Sequence, residues 1–212
     1  MLLIIPKARG QMSKRLSSDE AHQLWQEYRA GDMYALAKIM QSYYADLFHW
    51  GMRLRADREF VKDCIQEVFV NLWTMHESIR SVDSVRSYLL VVLKTRILRE
   101  LVTKHNMHQV TLSDDYSFSV EFAADIHLIE EEQEVYQIRK LEYGINHLPN
   151  RQKELIYLRF YQNLSFEQIA DVMHLGHQSV YNLLQKSLTT LRKDWVVGSV
   201  GLFACCLNPL WK

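Results

Sequence analysis

Seven polar residues gather near the C-terminal end of the chain: His177, Gln178, Ser179, Tyr181, Asn182, Gln185 and Lys186. Amide side chains of Gln and Asn can pair bidentately with adenine edges, and Ser and Lys suit phosphates or bases. A second group, Asp63, Gln66, Glu67 and Asn71, falls at i, i+3, i+4 and i+8, which puts all four on one helix face beside an apolar stripe. Such a carboxylate–amide face is either solvated or meets an Arg-rich partner through charge-assisted hydrogen bonds. Lys94, Arg96, Arg99 and Lys104, opposed in sequence only by Glu100, form a third group suited to phosphates. Nothing comparable supports covalent chemistry. The 9 His include no HExxH pair, and no Gly-rich phosphate loop is present. Cys64, Cys205 and Cys206 make no CxxC pair and are too few for a disulfide framework. The expectation is a chain with no catalytic residue, no metal, no cofactor and no small-molecule substrate, at work in a reducing cytoplasm.

The elements that must position these groups are helices. A composition of 48% hydrophobic and 24% charged residues excludes wholesale disorder, and 7 Gly with 3 Pro argue against a turn-rich β sandwich. Leu24, Trp25 and Tyr28, then Ala35, Leu36, Ile39, Met40, Tyr43, Tyr44, Leu47 and Phe48, recur at helical spacing, broken at Gly31-Asp32. Arg55 to Arg58 breaks the stripe again, and Phe60, Val61, Cys64, Ile65, Val68, Phe69, Leu72 and Trp73 resume it. Residues 76–86 are polar and read as a loop. A long helix follows from Tyr88 to Val102, in which Tyr88, Leu89, Val92, Leu93 and Ile97 read as core, as do Trp25 and Trp73. Residues 106–128 lack a period. Helical pattern returns from Glu130 to His147 and, after Pro149, from Arg151 to Tyr161, ending at Asn163.

The segment 164–192 has the plan of a helix-turn-helix. Ser165 and Gln168 form a capping box. Ile169, Ala170, Val172 and Met173 give the first helix a buried face, Leu175-Gly176 makes the turn, and Val180, Leu183, Leu184 and Leu188 face the second helix inward. The seven polar residues listed first then lie outward, on a helix whose N-terminal end can enter a major groove. The fold class expected is all-α: two helical domains joined by a flexible acidic linker, the second carrying the helix-turn-helix. The boundaries are 1–17 for an N-terminal extension, 18–105 for the first domain, 106–129 for the linker, 130–194 for the second domain and 195–212 for an apolar tail.

A net charge of zero hides an uneven distribution, because residues 109–150 hold nine acids against Arg139 and Lys140. These acids either keep a linker soluble or lie among basic surfaces of a partner, and Glu130 to Glu132 also suit a helix N-terminus. Leu2 to Ile5 is too short an apolar stretch for an export signal, and Met12 competes with Met1 as the start. The apolar run Val196 to Leu207 falls short of the ~20 residues of a spanning helix, so the tail is expected to pack on its own domain or in a partner's groove.

Two stretches carry a family resemblance. LPNRQKELIYLRFYQNLSFEQIADVMHLGHQSVYNLLQKSLTTLRK in the second half resembles region 4, and FVKDCIQEVFVNLW (60–73) resembles region 2.2, of bacterial RNA polymerase sigma factors of the sigma-70 family, extracytoplasmic-function group. Their order and separation match that group, and Asn182-Leu183-Leu184 resembles its Bacteroidetes-type members. The resemblance implies a transcription-initiation specificity subunit without catalysis of its own. It assigns Asp63, Gln66, Glu67, Phe69 and Asn71 to binding of the polymerase core. Arg80, Arg86, Lys94, Arg96, Arg99 and Lys104 fall to the −10 promoter element, and His177, Gln178, Ser179, Tyr181, Asn182, Gln185 and Lys186 to the −35 element. RNA polymerase core, promoter DNA and an anti-sigma factor are the implied partners. Tyr181, Leu183 and Leu188 depart from the basic residues common in the family's recognition helix, as do Val102 and Thr103 in the earlier helix. A stand-alone helix-turn-helix regulator leaves Gln66 to Phe69 and Trp73 unexplained, and a helical interaction protein leaves the polar face at 177–186 unexplained.

Overall fold

The structure, a computed structural model, describes residues 16–104, 116–121 and 132–196. Among these residues all regular structure is helical, in two compact units, one of residues up to Phe118 together with Asp171–His174, the other of Ser119–Ala170 and the residues from Leu175 on. In the first unit each helix starts where a short polar side chain can serve the free backbone N–H groups of a helix end. Helix α1 (Ser18–Arg29) opens on a full capping box, Glu20 N–H donating to Ser17 Oγ at 3.2 Å and Ser17 N–H to Glu20 Oε2 at 2.8 Å. Gly31 then turns the chain with φ +96°, and Asp32 caps α2 (Met33–Leu54) by accepting from Tyr34 N–H at 2.7 Å. Asp57 does the same for α3 (Arg58–Thr74), accepting from Phe60 N–H at 3.1 Å. Helix α4 (Val85–Lys104) begins nearly a turn before the expected Tyr88, because Ser84 Oγ accepts from Ser87 N–H at 3.2 Å.

The core of this unit is aromatic and branched aliphatic. Trp25, Tyr28, Ile39, Trp50, Ile65, Leu89, Leu93 and Ile97 are all buried. Its tightest point is Gly51 in α2. A Cβ placed there would lie 2.5 Å from Val61 Cγ1 of α3 and 3.4 Å from Ile97 Cδ1 of α4. Three helices therefore converge where one of them carries no side chain.

The second unit holds α5 (Glu132–Asn146), α6 (Asn150–Ile156), most of α7 (Phe166–Met173) and α8 (His177–Val196). Helix α8 packs on α5 and α6, and Ile138, Ile145, Leu155, Leu158, Ile169, Val180, Leu184, Leu188 and Leu191 are buried. The expected helix to Tyr161 does not stay α-helical. Tyr157–Tyr161 is a π turn, in which Gln162 N–H donates to Tyr157 O at 3.0 Å. The buried Gln162 side chain supports the widened turn, its Nε2 donating to Tyr157 Oη at 3.0 Å. Asn163 ends it in the left-handed region, φ 55°.

One part of the expected flexible linker is packed. In the stretch 116–121, Tyr116, Phe118 and Val120 are buried while Ser117 and Glu121 are exposed. That alternation is the period of an extended strand, and it was visible in Tyr-Ser-Phe-Ser-Val. Phe118 belongs to the first unit, its ring 5.5 Å from that of Trp50. Val120 belongs to the second, where the Asn146 side chain pairs with both its N–H (2.9 Å) and its C=O (2.7 Å). The rest of the linker, residues 1–15 of the N-terminal extension with Met12, and the tail beyond Val196 lie outside the described residues.

Gly51→Ala tests the convergence of the three helices. Alanine is the better helix former by about 1 kcal/mol, yet overpacking at this point should give a net loss of about 1–3 kcal/mol in denaturant unfolding. Gly176→Ala should be tolerated, because the nearest atom to its Cβ is Ser179 Oγ at 4.0 Å. An unchanged or raised stability in Gly51→Ala would show that the helices part freely there.

Candidate nucleic-acid interface

The helix-turn-helix forms as the residues dictate, with Leu175-Gly176 between its two helices. Ser165 Oγ accepts from Gln168 N–H at 3.2 Å and Gln168 Oε1 accepts from Ser165 N–H at 2.9 Å, closing the capping box of α7. Ile169, Ala170, Val172 and Met173 are buried. The left-handed conformation in the turn falls on His174, φ 52°, just before Leu175-Gly176. Leu175 N–H then donates to Ala170 O at 2.9 Å and ends the helix. On α8, Val180, Leu184 and Leu188 turn inward while His177, Gln178, Ser179, Tyr181, Asn182, Gln185 and Lys186 are all exposed. Gln178 Nε2 donates to Asn182 Oδ1 at 3.0 Å, which sets two amides side by side one turn apart. His177 Nδ1 lies 3.9 Å from Glu167 Oε1 at the start of α7. The Ser165 hydroxyl beside Glu167, with a backbone hydrogen bond and His177, holds its carboxyl below the usual range.

On α3, Asp63, Gln66, Glu67 and Asn71 are exposed together, and Val70 is exposed among them. Phe69 is not part of this face. It is buried in the core of the unit, on the stripe of Ile65, Val68 and Leu72. Glu67 is paired with Arg96 of α4, whose Nη2 also lies 2.6 Å from Glu100 Oε1.

The cations of the first unit are less available than their sequence suggests. Arg96 stands between those two carboxylates. Arg86 Nη2 is 2.9 Å from Asp46 Oδ2, both side chains mostly buried, so this pair ties the start of α4 to α2. Lys94 is buried, its Nζ 5.1 Å from the centre of the Tyr116 ring. Arg80 and Arg99 are exposed, and the Lys104 side chain lies outside the described residues.

Four α1 side chains, of which the spacing marked Trp25 and Tyr28 only as apolar positions and did not mark His22 and Arg29, hold the end of α3 and the loop that follows it. His22 Nε2 lies 3.0 Å from Val82 O, Trp25 Nε1 donates to Arg80 O at 3.2 Å, and Arg29 Nε donates to Ile79 O at 2.8 Å. Tyr28 Oη donates to Leu72 O at 2.5 Å. These bonds fix the backbone of 79–82 and leave the Arg80 side chain outward. Trp73 is half-buried against His76, ring centres 4.9 Å apart and nearly parallel.

Known proteins share this arrangement. The family model for sigma-70 region 2 matches residues 39–106 and that for sigma-70, region 4, matches 138–191, together more than half of the chain. The chain belongs to the sigma-70 family and is a sigma factor of transcription initiation. It is similar to the ECF RNA polymerase sigma factor SigX of Bacillus subtilis (strain 168), 19% identical over 157 residues, which span 73% of this chain and 80% of that protein. Its fold is similar to that of CnrH, solved in complex with the cytosolic domain of CnrY, with a TM-score of 0.56, 14% identity and coverage of 86% of this chain and 100% of that one. It is also similar to the sigma factor RpoE solved with the anti-sigma factor NepR from Bartonella quintana, with a TM-score of 0.52, 12% identity and coverage of 77% and 98%. Among the described residues no helix is long and apolar enough to cross a membrane.

The α1 anchor has a pH signature. Burial, with Tyr88 adding to it, pushes the Tyr28 hydroxyl from 10.0 up to about 12. A raised folded value means that this contribution to stability is complete below the ordinary value of 10.0 and is lost as pH rises through about 12. Tyr28→Phe should lose about 1 kcal/mol at neutral pH with the hydrogen bond. Its denaturation midpoint should also fall less steeply than wild type across that alkaline window. Equal slopes would remove Tyr28 as the titrating group.

Proposed function

We propose that this sigma factor reads promoter DNA with two separate surfaces and meets RNA polymerase core with a third. The observation that carries the proposal is the exposed row on α8, seven side chains able to pair with bases or phosphates, at the N-terminal half of the second helix of a helix-turn-helix. That end of the helix is the one that reaches base edges in a major groove. Its place in region 4 supports assigning it to the −35 element. The loop at 76–84 and α4, with Arg80 and Arg99 outward, are assigned to the −10 element. Lys94, Arg86 and Arg96 enter that assignment as residues already engaged within the unit.

The polymerase-binding surface is the α3 face of Asp63, Gln66, Glu67 and Asn71. Carboxylates and amides beside the exposed Val70 offer a partner helix both charge-assisted bonds and an apolar contact. The chain itself catalyses no covalent step in this reading. It works in the cytoplasm, and an anti-sigma factor, as in the RpoE complex, is its natural restraint.

Three variants separate these roles. Asp63→Lys on the folded chain should cost about 2–5 kcal/mol of core affinity. It is a cleaner probe than Glu67, whose loss also breaks the pair with Arg96. Gln178→Ala should relax preference at one −35 base by about 1–3 kcal/mol. Lys186→Ala should weaken all sequences alike and flatten the salt dependence by about one unit. Identical base preferences and salt slopes in the last two would show that α8 does not lie in the groove as assigned.

A further inference from the structure

We infer that Tyr116–Phe118 is a strap that covers a phosphate-binding lysine on the first unit, so that DNA and the strap compete for Lys94. The inference rests on the reading of α4 as a DNA-facing helix. Eleven residues, 105–115, separate the end of α4 from the strap in sequence. The chain nevertheless comes back to the same unit, where Phe118 is 1% exposed against Trp50 of α2 and Tyr116 is 7% exposed. Tyr116 sets its ring under the Lys94 ammonium, 5.1 Å away, and Lys94 is left 7% exposed.

Each part of this arrangement has a physical consequence. A lysine ammonium is strongly hydrated, and covering it removes water that only a ring face or an anion can replace. The Tyr116 ring face lies beside the ammonium here and helps to hide it. A phosphate is the stronger partner for an ammonium, but reaching Lys94 requires Tyr116 to leave. Tyr116 is two residues from Phe118, whose ring is seated beside Trp50. The two buried aromatic side chains alternate with the exposed Ser117, which makes a short extended segment that can lift as one piece. Lifting exposes Trp50 and Lys94 together, an aromatic ring and a cation, the pair of groups that single-stranded nucleic acid uses. Because linkage is reciprocal, whatever draws the strap away raises DNA affinity, and DNA bound at Lys94 loosens the strap.

The test uses the full chain as wild type, Phe118→Ala, Tyr116→Ser and each of these combined with Lys94→Gln, with helix content checked by circular dichroism. Tyr116→Ser removes the ring over Lys94 while keeping Phe118 in place, so it serves if Phe118→Ala unfolds. Salt-dependent retention on heparin and, with polymerase core, binding of DNA carrying a −10 element are the readouts. The strap predicts that either single variant binds about fivefold to tenfold more tightly near 0.1 M salt, with a slope steeper by about 0.7–0.9, one further phosphate contact. Lys94→Gln should cancel that gain. Wild-type retention and slope in a folded Tyr116→Ser variant overturn the strap, as does a gain that persists without Lys94. A gain on heparin that vanishes with Lys94, with no effect on −10 DNA, upholds the strap and instead overturns the assignment of α4 to the promoter.

Discussion

The first unit depends on a contact that is possible only because α2 has no side chain at Gly51. Val61 of α3 and Ile97 of α4 close on that point. With the rotation of both helices fixed there, their outward faces follow. Val61, Cys64, Ile65, Val68, Phe69 and Leu72 must point inward on α3, which leaves Asp63, Gln66, Glu67, Val70 and Asn71 exposed. On α4 the inward set is Leu89, Leu90, Leu93 and Ile97. A larger residue at 51 would change the angle of two functional helices at once, since packed cores respond to added volume by shifting backbone.

Around that point the unit is closed by polar groups on apolar helices. Helix α1 is buried through Leu24, Trp25 and Tyr28, yet the indole N–H and phenol O–H of the last two reach carbonyls beyond its own turn. Carbonyls left without a partner in a half-buried loop would be costly. By donating to them, α1 gives the loop a defined path without any strand or disulfide. The same economy operates in the second unit, where Asn146 satisfies both backbone groups of Val120 and Gln162 supports the π turn.

What could be read from the sequence divides along the same lines. The exposed α8 residues were legible, because on a helix they are the complement of the apolar period that Val180, Leu184 and Leu188 define, although Leu183, also expected inward, is only half-buried. The face on α3 was legible for the same reason, apart from Phe69, whose place in the family motif suggested contact while its spacing with Ile65 and Leu72 demanded burial. The cations were not legible. Asp46, Glu67 and Tyr116 neutralise or cover Arg86, Arg96 and Lys94 from other elements, and no local spacing encodes a partner on a different helix. The turn at Leu175-Gly176 was legible as well, but not that His174 before it takes the left-handed conformation.

The central claim is that one chain supplies polymerase core with promoter specificity through an α3 face for protein and an α8 face for DNA. Multiple-round transcription with purified core, run on fragmented genomic DNA and mapped at the RNA 5′ ends, measures this directly. The account predicts few, discrete start sites that appear only when the full chain is added. The upstream DNA of these sites should share a sequence whose preference moves when Gln178 or Asn182 is changed. Start sites that match those of core alone, or that keep the same upstream sequence after the α8 face is replaced, would contradict it.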